Sequence, residues 1–265
     1  IKRVKKVYFM ISRIIKKTEI ENYKNFGYVH CKNLIPKTVL KKLNQNILKV
    51  ENFPETYNKW MKYFDPKSNS KELVLTRIEN FIQYNSFLKE FFKSRKLQKN
   101  LRLLYGNKVI LFKDKYHPKL PGSKGFDAHQ DATIWEGMYN MKNYITMCIM
   151  LEDSTKNNGP LEFANYDSKN KSLVSKSWSK ISKKTENNFK WKKIFAKKGD
   201  IIFFDDYVPH RSSTNFSKVR SRRSLFITYN DIKFGSKRKK YYIDKRKNYP
   251  PNFERKKGKN YIFKA

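Results

Sequence analysis

Acidic residues are scarce: 23 Asp and Glu stand against 60 Lys and Arg, a formal net charge of +37. Such an excess raises nucleic acid or an anionic membrane surface as a partner. The lysines, however, run through almost every segment, with only local excess near 236–246 and 255–259. No RNA- or DNA-binding signature accompanies them, so the charge reads as compositional drift and no dedicated nucleic-acid surface is expected. Cysteine is nearly absent. Cys31 and Cys148 cannot build a disulfide framework and neither sits in a Cys-x-x-Cys pair, which makes a reducing, cytoplasmic compartment the expectation. Long apolar runs are missing too: none approaches a membrane span, and the five apolar residues from Val7 to Ile11 are soon closed by Arg13, too short a run for a signal peptide. There are no internal repeats.

What is present suffices for a sizeable core: 38% hydrophobic and 15% aromatic residues in 265. The expectation is one domain over 1–265, with a mainly helical buttress in 1–101, a strand-rich core in 102–230 and a basic extension in 231–265. Val4, Val7, Ile11 and Ile14 recur at helical spacing, and Gly27 stops a short second helix. Ile35-Pro36 opens a third that carries Val39, Leu40, Leu43 and Ile47. A short strand is expected at Tyr28 to Lys32 and a further helical stretch from Glu72 to Leu101. Beyond residue 102 the texture changes to strands at Lys108–Lys115, Tyr144–Leu151, Pro160–Phe163, Lys193–Ala196, Asp200–Asp205 and Arg222–Tyr229, with turns at Asn157-Asn158-Gly159 and Lys198-Gly199-Asp200. Residues 167–192, rich in Ser, Lys and Asn, read as a loop that could cover a site. Many short strands after a helical preface imply an α+β chain: a β-sandwich or jelly roll with N-terminal flanking helices.

The chemistry-bearing residues are few enough to weigh singly. The chain has four histidines. His129 and Asp131 stand two apart in Gly125-Phe126-Asp127-Ala128-His129-Gln130-Asp131, an arrangement that on a strand points both side chains to one face. His210 ends the apolar run Ile201-Ile202-Phe203-Phe204-Asp205-Asp206-Tyr207-Val208-Pro209. Two imidazoles and one carboxylate on a β scaffold are the ligand set of a non-haem Fe(II) oxygenase, which leaves metal positions open for a co-substrate and O2. A His-x-Asp alone is a weak signal; the distal His after a Gly-Asp turn makes it specific. His30 and His117 are read as hydrogen-bonded core or surface residues. Downstream, Arg222 and Arg223 open an apolar strand and point to opposite faces, so only one can grip a co-substrate carboxylate. Arg222 is taken as that clamp.

With these residues in place, the chain from about Tyr23 onward resembles the phytanoyl-CoA dioxygenase (PhyH) family of Fe(II)/2-oxoglutarate oxygenases, in which a His-x-Asp, a distal His and a following Arg lie on a double-stranded β-helix (jelly roll, cupin-like). Within the family it looks most like the bacterial hydroxylases of 2-aminoethylphosphonate and its N-trimethylated form. The similar segments include Phe112-Lys113-Asp114-Lys115, Lys119-Leu120-Pro121-Gly122, Asn158-Gly159-Pro160-Leu161, Phe203 to Ser212, and Tyr241-Tyr242-Ile243-Asp244-Lys245-Arg246. The resemblance implies Fe(II) on His129, Asp131 and His210. It also implies 2-oxoglutarate held by Arg222 with Ser212, Thr146 and Lys119, and O2 as oxidant, with release of succinate and CO2. Ser213-Thr214-Asn215 and Phe216 depart from the common pattern after the distal His. Neither departure touches a ligand, so they bear on the substrate.

The resemblance implies a small phosphonate hydroxylated at the carbon next to phosphorus. Lys113 or Lys115 could meet the phosphonate, and Trp135 and Tyr139 could offer aromatic faces to a substrate ammonium. Two alternatives stand beside this reading. One is the same chemistry on another small zwitterion or acyl-type metabolite; the other is a basic nucleic-acid or anionic-surface binding protein on an inactive oxygenase scaffold.

Overall fold

A computed structural model describes residues 10–139, 142–169, 171–174 and 180–261. Four helices, α1 (Lys17–Phe26), α2 (Lys37–Glu51), α3 (Ser86–Phe92) and α4 (Arg95–Tyr105), are interleaved with three strands, β1 (Tyr28–Cys31), β2 (Met61–Pro66) and β3 (Leu73–Glu79). Then follow β4 (Val109–His117), β5 (Phe126–His129), α5 (Ala132–Tyr139), β6 (Ile145–Met150), β7 (Leu161–Ala164), α6 (Lys183–Asn187) and β8 (Trp191–Ile194). The chain continues through β9 (Ile201–Asp205), β10 (His210–Ser212), β11 (Ser224–Asp231) and α7 (Arg238–Asn248).

The stop and start signals act as the sequence says. Gly27 caps α1 in the left-handed region at φ 71°, and Pro36 precedes α2, which buries Val39, Leu40, Leu43, Ile47 and Val50 along one stripe. Val4 and Val7 lie outside the described residues, and Ile11 and Ile14 are not helical. Ile11 is buried in the core as an irregular segment. The stretch expected to be helical from Glu72 begins as β3, whose bonding partners β2 and β4 lie outside the local window. Of the segment 167–192, residues 170 and 175–179 lie outside the described residues; the rest contains α6 and the first residues of β8, and Arg211 pairs with Glu186 of α6.

The strands form two antiparallel sheets, one of order β1-β9-β6-β11-β4-β3-β2 and one of order β5-β10-β7-β8. This corrects the expected double-stranded β-helix, jelly-roll core: neither sheet closes. β1 adds outside β9, and the β2–β3 hairpin adds outside β4. Strands from the first eighty residues therefore cap both edges of the large sheet, and among the described residues no strand pairs from one sheet to the other. The α+β content and the flanking helices are as expected.

Period-2 alternation decides what each face of the large sheet does. Ile145, Met147, Ile149, Ile201, Phe203, Leu225, Ile227 and Tyr229 point to the helices α1–α4 and form the main core. Cys148, Met150, Ile202, Phe204 and Phe226 point the other way, toward Leu161, Phe163 and Ile194 of the small sheet. A third apolar cluster joins Met61, Tyr63 and Phe112 to Trp135 on α5 and to Tyr241 and Tyr242 on α7. Between the sheets, where the apolar cluster gives way to polar side chains, a cavity of about 570 Å³ opens. Among the described residues, no helix is long and apolar enough to cross a membrane.

Candidate metal centre and substrate cavity

His129 and His210 are register partners across β5 and β10. Asp131 lies two residues beyond the end of β5, in the turn into α5, so that turn rather than strand alternation brings its carboxylate round. Ligand atoms of the three residues all lie within 4.8 Å of one another, with His129 Nε2 3.9 Å from Asp131 Oδ1. The Nδ1 atoms of His129 and His210 face the backbone carbonyls of Asp127 (2.7 Å) and Val208 (3.1 Å). A carbonyl only accepts, so each Nδ1 carries the proton and each Nε2 lone pair is left for a metal.

Electrostatics favour the metal-binding protonation states. Burial lowers the His129 pKa, and burial and the facing His129 push His210 down to about 3, so both imidazoles are neutral. Burial alone would raise the Asp131 carboxyl, but His210, His129, Lys113 and Lys115 outweigh it and hold it below the usual range. Gln130, fully buried between the two ligands, donates to the Tyr207 carbonyl and to Ser172 O (3.0 Å), and accepts from Val174 N (2.8 Å). It pins the His-x-Asp turn to the turn that delivers His210. Sequence reasoning passed over it, although its position inside the motif was the available signal.

Arg222 is wholly buried and lines the cavity. Its Nη1 donates to Ser224 Oγ (3.1 Å), while Nε and Nη2 have no hydrogen-bond partner among the described residues. Burial pulls this guanidinium down to about 10. A buried cation with two idle donors is costly unless an anion meets it, which is what a bound dicarboxylate would supply. Arg223, by contrast, pairs with Glu152 at 2.9 Å. Lys119, buried at a φ of 36°, donates to Ser212 Oγ and to the Lys124 carbonyl, both at 3.1 Å. Burial, then Arg222 and Lys115, lower its pKa far below that of a free lysine. Gly159 makes room for it: a Cβ there would stand 2.2 Å from Lys119 Cε, at a φ of 75°. Thr146 lines the cavity and shares a 2.9 Å hydrogen bond with Thr228 on the next strand. His117 is buried against Phe126 and also lines this end, so its side chain belongs to the cavity wall. The donor set thus fits both iron(II) and 2-oxoglutarate.

The other end of the cavity is lined by Lys113, Lys115 and Trp135, and by β2 and β3 residues that sequence reasoning missed: Asp65, Thr76, Arg77 and Glu79. Register explains the grouping, since Glu79 is directly opposite Lys115 on β4. The missed signal was the alternation of Leu73-Val74-Leu75-Thr76-Arg77-Ile78-Glu79 after the Ser68-Asn69-Ser70 turn. Tyr139 is not brought to the cavity; its ring packs 5.6 Å from Phe112 and its hydroxyl donates to Asp244 at 3.3 Å. Glu79 is held by Lys245 of α7, whose Nζ lies 2.7 Å from both carboxylate oxygens.

Two neutral imidazoles and a carboxylate beside a buried, partly unpartnered arginine define the site of a non-haem Fe(II)/2-oxoglutarate-dependent dioxygenase. The chain belongs to the phytanoyl-CoA dioxygenase (PhyH) family, whose model matches residues 23–224. It is 36% identical over 239 residues to the 2-aminoethylphosphonate dioxygenase of an uncultured bacterium (HF130_AEPn_1), covering 90% of each chain. It is 26% identical over 232 residues to the methylphosphonate hydroxylase of Gimesia maris, covering 88% of this chain and 87% of that one. Among solved structures, it shares its fold with EctD from S. alaskensis bearing 2-oxoglutarate and 5-hydroxyectoine, at a TM-score of 0.69 and 17% identity, over 83% of this chain and 77% of that one. The carbocyclase SnoK from nogalamycin biosynthesis matches at a TM-score of 0.66 and 15% identity, over 82% and 84%.

Proposed function

We propose that the protein hydroxylates a small organophosphonate at the carbon next to phosphorus, with 2-aminoethylphosphonate or its N-trimethyl form as the type substrate. The observation that carries this reading is the group of three cations, Arg77, Lys113 and Lys115, lining the same cavity as the triad. A phosphonate carries up to two negative charges, and cationic donors clustered in a partly dry cavity suit such a head group. The similarity to a 2-aminoethylphosphonate dioxygenase and a methylphosphonate hydroxylase supports the same class.

In this reading His129, Asp131 and His210 hold iron(II), and Arg222, Lys119, Ser212 and Thr146 seat 2-oxoglutarate. When bound, iron(II) and 2-oxoglutarate supply an oxidative decarboxylation in which one atom of O2 enters succinate and the other enters a substrate C–H bond as hydroxyl, with loss of CO2. The chain's own residues position, shield and charge-match. Arg222 neutralises the distal carboxylate, which fixes the orientation of the co-substrate. Phe204, Phe226 and Leu161 line the apolar side of the cavity and keep bulk water from it. Lys113 and Lys115 anchor the phosphonate so that the carbon beside phosphorus faces the triad.

The test is succinate formation by anaerobically iron-loaded protein given 2-oxoglutarate and air, across phosphonates and other small zwitterions. Turnover stimulated by a phosphonate, with a hydroxylated product, is the expected result. Stimulation only by non-phosphonates would replace the substrate. Failure to bind iron, together with salt-sensitive binding to nucleic acid, would replace the reading with that of a basic binding protein.

A further inference from the structure

A substrate that carries an ammonium must place it somewhere in the cavity. Five aromatic rings line the walls: Phe126, Trp135, Phe204, Phe226 and Tyr249. Each already faces a group of the protein. Lys113 Nζ lies 5.4 Å from the Trp135 ring, and Lys115 Nζ lies 5.3 Å from Phe126 and 4.6 Å from Phe226. The Arg77 and Arg255 guanidiniums lie 5.5 and 4.4 Å from Tyr249, and the His210 ring lies 4.8 Å from Phe204. An aromatic cage for a quaternary ammonium needs faces free of competing cations; here Trp135, Phe126, Phe226 and Tyr249 face cations of the protein and Phe204 packs on the His210 ring.

The carboxylates divide differently. Of the four lining the cavity, Asp131 belongs to the triad, Glu79 is paired with Lys245, and Asp127 is paired with Lys180. Asp65 is the fourth, and no cation partner is found for it among the described residues, in a chain with more than twice as many cations as anions. Its Oδ2 accepts from Thr76 Oγ1 at 2.6 Å, and the same hydroxyl lies 3.2 Å from the Tyr63 carbonyl. Local geometry explains the contact. The β2–β3 register shifts between Tyr63 and Phe64, which pair with Arg77 and Leu75, so Thr76 is the extra residue of a bulge. The bulge turns the Thr76 hydroxyl onto Asp65 and fixes one carboxylate oxygen, leaving the other for a donor in the cavity.

We infer that Asp65, oriented by Thr76, is the ammonium-binding residue of the substrate site, and that the site takes a primary ammonium in preference to a quaternary one. A primary ammonium donates hydrogen bonds to a carboxylate; a trimethylammonium has no N–H and cannot. The cavity is therefore bipolar, with cations at Lys113, Lys115 and Arg77 and an acceptor at Asp65, matched to a short zwitterion. This inference rests on the phosphonate reading for the anionic end only.

The experiment compares kcat/KM for 2-aminoethylphosphonate, its N-trimethyl form and ethylphosphonate in the wild type, Asp65→Asn and Thr76→Val. The wild type should prefer the primary amine to both others by about tenfold or more, the scale of one hydrogen bond to a charged group. Asp65→Asn should collapse the amine-to-ethyl ratio by about tenfold, and Thr76→Val, which keeps the carboxylate but frees it, by a smaller factor. Should Asp65→Asn not fold, the Thr76→Val ratio alone decides. A ratio unmoved in the variants, or a wild type that prefers the trimethyl form, overturns the inference. If no phosphonate is turned over, the same ratio is read with taurine against ethanesulfonate: selectivity lost in Asp65→Asn then sustains Asp65 while the phosphonate reading falls. No stimulation by either pair overturns both.

Discussion

His129 and His210 face each other as a register pair between two short strands, ring centroids 4.3 Å apart, with each Nδ1 turned to a carbonyl two residues earlier in its own strand or turn. The two imidazoles of the candidate metal site are thus brought together by sheet pairing, and each is oriented by its own backbone. Replacing either ring removes one of three ligands without disturbing the partner's anchor. His210→Ala should retain its fold by circular dichroism, lose iron retained after desalting, and reduce 2-oxoglutarate-dependent succinate formation to background. Wild-type iron retention in that variant would show that the metal sits elsewhere.

Gln130 ties together three segments, adding to the Ala132 N–H bond to the Asp206 carbonyl that already joins two of them. Its amide spans the Tyr207 and Ser172 carbonyls and the Val174 amide. Gln130→Ala leaves the Tyr207 carbonyl and the Val174 amide without this partner, while Ser172 keeps the Tyr166 hydroxyl, and it loosens the hold on Asp131 and His210. Outer-shell groups of this kind typically carry about 10- to 100-fold in metal affinity. The expected result is weaker iron binding in a competition titration, with the 2-oxoglutarate KM at saturating iron altered far less.

The residues that come together at the candidate site were more legible than the frame around them. His129, Asp131, His210 and Arg222 stand out because His-x-Asp, a late His and an arginine opening a strand are types whose chemistry is restrictive wherever the chain puts them. The strands from Tyr144 onward were legible because β-branched and aromatic runs are bounded by Gly and Asn turns. Leu73–Glu79 was not, because the apolar residues near it also fit a helical period, and only pairing with β2 and β4 decides in favour of the strand. That one misassignment hid Thr76, Arg77 and Glu79, the β3 side of the cavity. The closed jelly roll failed for a related reason, since strand patterning says nothing about whether N-terminal strands will occupy the sheet edges. Tyr139 could not be separated from Trp135 by spacing, because both fall on α5 and both pack on Phe112 in one apolar cluster, and only Trp135 also lines the cavity.

The Glu79–Lys245 pair predicts how stability depends on acid. Burial acts to raise the Glu79 carboxyl, but Lys245, Lys113 and Arg77 outweigh it and bring it down to about 2, against an ordinary value of 4.5. Its ionised form therefore stabilises the fold fully above pH 4.5, and that stabilisation is lost as the pH falls through about 2. Breaking a buried pair by removing one partner costs about 3 kcal/mol or more. Glu79→Gln should lower the Tm most at neutral pH, and the gap to wild type should narrow as the pH is taken below 4.5. A gap independent of pH would assign the loss to packing alone.

Lys115 predicts a limb of the activity profile on the alkaline side. Burial, with the neighbouring Lys113 cation, brings its pKa down to about 8. Below that pH the ammonium is available to a phosphonate; above it the charge is lost. The substrate KM should therefore rise as the pH passes 8, while the 2-oxoglutarate KM follows a different curve. Lys115→Arg keeps its charge across this range and should flatten the alkaline limb of the substrate KM. An unchanged limb would remove Lys115 from the phosphonate subsite.

Arg222 is the most exacting test of the co-substrate site, because the structure leaves Nε and Nη2 idle inside a buried wall. If these donors meet the distal carboxylate of 2-oxoglutarate, Arg222→Ala removes a desolvated, charge-assisted contact of about 2 kcal/mol or more. That corresponds to at least about a 30-fold rise in the 2-oxoglutarate KM. Arg222→Lys restores the charge but not the planar fork, and Lys119 beside it already crowds the pocket with a second amine, so rescue should be partial. Iron retention should stay close to wild type in both variants, since the hydrogen bonds of Arg222 run to Ser224 and to the Lys119 carbonyl rather than to the triad. A co-substrate KM that does not move in Arg222→Ala, with iron still bound, would mean that 2-oxoglutarate takes its anchor from another cation of the cavity.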